Sequence, residues 1–112
     1  VTEVRIVDVD TRGGQAIEAF GSSGVQGASL VRADGVAVTV LELAAGGEIG
    51  RHPAPSEQLL VVLSGAGTVS GEDGAWQPIG PGQAARWARG EEHGVRAGEP
   101  MRLLVVEYAP AG

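Results

Sequence analysis

A chain of 112 residues, 43% hydrophobic and 20% charged, suits one globular domain with a single core. The absence of cysteine excludes disulfides, thiolate metal sites and cysteine nucleophiles, and a formal net charge of −6 argues against nucleic acid as the main partner. No apolar run nears the roughly 20 residues of a membrane span, and the first residues lack the basic and apolar regions of a secretion signal, so a cytoplasmic protein is expected.

Residues 3–9 alternate apolar and polar, which predicts a first strand with Val4, Ile6 and Val9 inward. The segment 10–25 is broken by glycines and reads as a loop or, over 15–19, as one helical turn. A short strand is expected over 27–33, a turn at Asp34-Gly35, and a clearer strand over 36–43. Residues 44–56 read as a long loop carrying His52. The apolar run 59–63, led in by Gln58, is bounded by turn signals and too short for a helix, so it reads as a buried strand.

A corner at 64–67 leads to a strand over 68–70, a hairpin tip at 71–74 and a return over 75–79. Further strands are expected over 83–88, 93–97 and 101–108, parted by turns at 80–82, 89–92 and 98–100. About nine short strands without a clear helix predict an all-β sandwich or barrel. Aromatic residues make up only 4%, so the core is expected to be Val, Leu and Ala. In 59–63 both alternating faces are apolar; one can line the interior, and a second copy of the chain is expected to cover the other, giving a homodimer.

The chain has two histidines, each at a loop-to-strand junction. Counting by twos from His52 along an extended chain puts Ala54, Ser56 and Gln58 on the same side. His93 follows the turn 89–92, so a pocket built from the two junctions is expected.

These residues resemble the cupin family. Its first motif runs Gly, five residues, His-x-His, three or four residues, Glu, six residues, Gly. Here Gly46 leads to His52, Ala54 stands at the second His, Gln58 at the Glu, and Gly65 closes the motif. The second motif starts at Gly82 and has Ala88 for Pro, then Gly90 and His93, with Ala97 for Asn. The run Trp87-x-x-Gly90-Glu91-x-His93 is similar to small single-domain bacterial cupins. The resemblance implies a single RmlC-like jelly roll over 1–112, a double-stranded β-helix with the first motif at 46–65, a hairpin at 66–79 and the second motif at 82–97.

It also implies a divalent metal, Fe, Ni, Zn, Mn or Cu, on His52, Gln58 and His93, with a small oxygen-bearing metabolite as substrate for dioxygenase- or isomerase-like chemistry. The neutral amide of Gln58 would leave a dication uncompensated. Ala54 reads either as an opened coordination position or as a decayed site. The alternative is a metal-free small-ligand-binding or accessory cupin without catalytic activity, and His93 also suits a proton shuttle in a metal-free isomerase or cyclase. Glu57 is the candidate acid or base, although strand parity points it away from His52. Trp87 reads as packing or as a ligand-stacking wall, and Tyr108 and Glu42 as inward candidates from neighbouring strands. Glu91 and Glu92 read as solvated. The glycines at 65, 67 and 71 miss dinucleotide spacing, Ser56 lacks the partners of a triad, and Glu72 and Asp73 lack those of a calcium loop.

Overall fold

The computed structural model describes residues 4–11 and 15–109. They form an all-β, nearly closed barrel: β1 (Gln15–Ala16), β2 (Ser23–Ala33), β3 (Val36–Pro53), β4 (Glu57–Ser64), β5 (Gly67–Ser70), β6 (Trp76–Ile79), β7 (Ala84–Trp87), β8 (Glu92–Ala97) and β9 (Met101–Tyr108). The sheet runs β6-β5-β8-β3-β9-β4-β7, with β2 also paired to β3 and β1 to β2. The Trp87 indole links the end strand β7 to β5, its Nε1 donating across to the Ser70 carbonyl at 3.1 Å.

Alternation builds the core. Met101, Leu103 and Val105 of β9 are buried, as are Leu60 and Val62 of β4, and they pack with Leu41, Leu43, Val95 and Trp87. The intervening Leu59, Val61, Leu104 and Val106 face outward and are half-buried. Trp76 lies outside this core, with the Arg96 guanidinium 4.0 Å above its ring.

The expected strand over 3–9 is corrected. Glu3 lies outside the described residues, and 4–10 carry no strand; Val4 and Ile6 are 84% and 88% exposed. Alternation marks a segment able to pair, but it does not supply an edge to pair with. The β2 edge is taken by Gln15 and Ala16, which sit opposite Gly27 and Gln26. One helical turn does form in the following segment, as a 3-10 turn at Ala19–Gly21, four residues later than the reading over 15–19.

The long loop expected over 44–56 is corrected too. β3 is an unbroken 18-residue strand that changes partners midway, from β9 over 36–43 to β8 over 48–53. Between these halves its register against β2 jumps from Val25↔Leu43 to Ser23↔Glu48. The extra residues form a bulge. Gly46 has φ +77, and a Cβ on Gly47 would sit 2.8 Å from the Ala44 carbonyl oxygen. A glycine pair inside a paired strand marks a bulge and bend, not a strand end.

Candidate functional site

Two cross-strand pairs stand at one end of the barrel. His52 of β3 is opposite His93 of β8, and Gln58 of β4 is opposite Glu107 of β9. Gln58 continues the inward row of Leu60 and Val62, and Glu107 continues the row of Met101, Leu103 and Val105. His52 reaches the interior through a second irregularity: β3 advances from Ile49 to His52 while β8 moves only from Val95 to His93. This shift lets Ile49 and His52 both line the cavity, although simple alternation would part them.

The cavity measures about 190 Å³. Its walls are mainly apolar, with Phe20 at the mouth, and the polar residues lining it are His52, His93, Gln58 and Glu107 together with the hydroxyls of Ser22 and Thr39. The Phe20 ring stacks on the His52 imidazole at a centroid distance of 4.2 Å. The turn bearing it is pressed onto β3 at Gly50, where a Cβ would lie 1.6 Å from the Phe20 carbonyl oxygen. The Gly50 amide also donates to Ser22 Oγ at 3.1 Å, pinning the far end of the turn.

The histidines direct their Nδ1 atoms at backbone carbonyls. His52 Nδ1 is 2.7 Å from the Gly50 oxygen, and His93 Nδ1 is 3.3 Å from that of Glu91. A carbonyl only accepts, so in each of these contacts a proton on Nδ1 is the donor. His93 is 2% exposed, and burial holds its pKa below the usual 6.5, helped by the charges of His52 and Arg51 against the pull of the Glu91 and His52 carbonyls. Gln58 is 8% exposed, and its side-chain oxygen has no hydrogen-bond partner among the described residues.

The other residues singled out in the sequence fall elsewhere. Trp87 packs against the His93 ring at 4.6 Å between centroids and does not line the cavity. Tyr108 faces outward into a shallow hollow beside Arg32 and Pro55, and Ser56 lines the same hollow. The Glu57 carboxylate accepts from the Arg89 backbone N–H at 2.6 Å, bracing the 89–92 turn away from the cavity. Glu42 faces outward in a 3.2 Å ion pair with Arg102. The Glu92 side chain keeps 39% of its surface exposed and lies 4.0 Å from Arg51, while its backbone N–H donates to the Glu72 carboxylate.

Among the cavity residues not foreseen in the sequence, Glu107 and Phe20 bear most on the site. Counting by twos from Met101 reaches Glu107, so its signal was present in the alternation. Phe20 had none, because its position depends on the contact between two distant segments.

The donor set does not fit the metal centre that the family resemblance implies. Among the described residues no three His, Cys, Asp or Glu side chains are grouped to hold an ion. His52, His93 and Gln58 themselves offer two imidazoles and a neutral amide, and Glu107, the carboxylate of the same cavity, stands opposite Gln58 and is not grouped with the histidines to hold an ion. Ala54, where a further imidazole would stand, is buried in the hydrophobic core.

Solved structures share this architecture. A predicted oxalate decarboxylase from Thermotoga maritima superposes with a TM-score of 0.79 at 20% identity, covering 93% of this chain and 100% of that one. A protein of unknown function from Streptococcus pyogenes gives 0.73 at 23% identity, covering 100% of this chain and 93% of that one. The polyketide cyclase RemF from Streptomyces resistomycificus gives 0.77 at 26% identity, covering 95% and 81%. A search of curated proteins finds no match to this chain. The sequence profile of the cupin domain matches residues 39–107, which hold both histidines, Gln58 and Glu107, and by that match the chain belongs to the cupin family.

Proposed function

We propose that this cupin binds a small organic molecule in its barrel cavity without a metal. One observation carries the reading: a cavity of about 190 Å³, apolar on most sides, is lined by Gln58, whose buried side-chain oxygen has no hydrogen-bond partner among the described residues. A buried acceptor left unpaired costs about 1–3 kcal/mol, which a bound ligand would recover. The histidines then orient the ligand rather than grip an ion. A small molecule suits the net charge of −6 better than nucleic acid does, and a cytoplasmic setting is proposed with it.

The test is a ligand screen by thermal shift and NMR on tag-free, chelator-treated protein, beside elemental analysis. Ligand-dependent stabilisation of metal-free protein supports the reading. Stoichiometric Fe, Ni, Zn, Mn or Cu that is lost in both His52→Ala and His93→Ala, with folding intact, would overturn it.

A second reading, a metal-free isomerase or cyclase with His93 moving a proton, is favoured by two observations. The neutral His93 ring lies beside the cavity, and the protein resembles the cyclase RemF over most of both chains. Turnover lost in His93→Gln at unchanged ligand affinity would support it. The homodimer is proposed on the outward row of Leu59, Val61 and Leu63, the last 48% exposed, with a second copy as the cover. Light scattering after size exclusion tests it, and a monomer at all concentrations would count against it.

A further inference from the structure

We infer that the ligand is an uncharged single-ring molecule that donates an O–H or N–H hydrogen bond, a phenol or an N–H heterocycle, and that carboxylates are excluded. The inference rests on the cavity-binding reading above and names its ligand class.

Size sets the first limit. A cavity of about 150 Å³ lined by apolar side chains takes up benzene, so about 190 Å³ accommodates one ring with a small substituent. The walls suit a flat apolar body: Leu41, Leu60, Val95 and Val105 on the sides, with the stacked Phe20 and His52 rings at the mouth.

Polarity sets the second limit. The polar flank is weighted towards acceptors. Gln58 Oε1 is buried and unpartnered, and Glu107 opposite it offers a carboxylate. The His52 N–H is turned to the Gly50 carbonyl, which leaves Nε2 as an acceptor in the neutral ring. Ser22 Oγ already accepts from Gly50 and, with Thr39, is a hydroxyl able to serve either role. Among the described residues no Lys or Arg lines the cavity. An anionic ligand would enter beside the Glu107 carboxylate with no cation to compensate it. A donor on the ring would satisfy Gln58 Oε1 instead.

The experiment is an NMR titration of the full, metal-free chain at neutral pH with phenol, anisole, toluene and benzoate. Phenol is expected to bind about tenfold more tightly than toluene, the effect of one recovered hydrogen bond. Anisole, which keeps the oxygen and loses the donor, should gain nothing over toluene. Benzoate should bind most weakly. Gln58→Leu should bring phenol down to the level of toluene while toluene binding persists. If that variant does not fold, Glu107→Gln supplies the second arm: it should raise benzoate affinity and leave toluene unchanged. Anisole or benzoate binding as tightly as phenol would overturn the ligand class and leave the cavity reading standing. Failure of every probe, toluene included, would overturn both.

Discussion

Phe20 lies parallel to His52, with 5° between their ring planes, and its backbone is held in the left-handed region at φ 58, ψ 30. That conformation costs an L-residue about 1–2 kcal/mol, and the ring is still 63% exposed. The turn therefore places an exposed ring over the cavity mouth at some conformational expense. Phe20→Ala should change stability by less than about 1 kcal/mol, since little of the ring is buried. Exchange of a bound probe such as toluene should become faster. Lineshape analysis of the titration measures both rates, and unchanged rates would show that Phe20 does not control entry.

Gly50 tests the same turn from below. Gly50→Ala puts a methyl into the space of the Phe20 carbonyl, a backbone group that cannot rotate aside. The turn at Ala19–Gly21 must lift, at a cost of about 1–3 kcal/mol. Chemical denaturation should show that loss, and amide exchange should speed up at Ser22. Wild-type stability in this variant would mean that the turn does not seat on β3 as described.

The pH dependence follows from His93. Its folded pKa lies below 6.5, chiefly through burial, then through the charge of His52. The unfolded chain takes up this proton before the folded one does. Its contribution to stability is therefore complete above 6.5 and is lost as pH falls from there towards the lower folded value. His93→Gln removes the titration, while the carboxylates common to both proteins cancel in the difference. Denaturation of the pair between about pH 7 and pH 5 should give converging stabilities. Parallel curves would contradict the assignment.

Trp87 serves closure. Trp87→Phe keeps the packing under His93 and removes the hydrogen bond to the Ser70 carbonyl that joins β7 to β5. The buried carbonyl loses its partner, so a loss of about 1–3 kcal/mol is expected by denaturation. Probe affinity should stay as in the parent. A large loss of affinity with intact stability would place Trp87 in the binding site after all.

Much of this barrel was written locally. The first half of β3 and the apolar runs of β4 and β9 are visible as strands in the sequence, and Asp34-Gly35 marks the hairpin between β2 and β3. The motif glycines Gly46, Gly65, Gly82 and Gly90 all have positive φ, between 77° and 87°. Those positions need glycine for backbone reasons, which explains why cupin spacing survives here while the side chains at the ligand positions differ. The spacing announces the fold and is silent on the chemistry.

Sequence alone determined most of the strands, the turn chemistry, the all-β class and the turn-to-strand setting of His93, because each depends on neighbours within a few residues. Tertiary structure decided three other matters. It turned the 44–47 segment from a loop into a bulge by giving both halves of β3 a partner. It left 4–10 without a strand and laid Phe20 over His52. It set His52 against His93 and Gln58 against Glu107. These outcomes rest on which strand edge is open and on register between distant segments, and alternation within one strand carries neither.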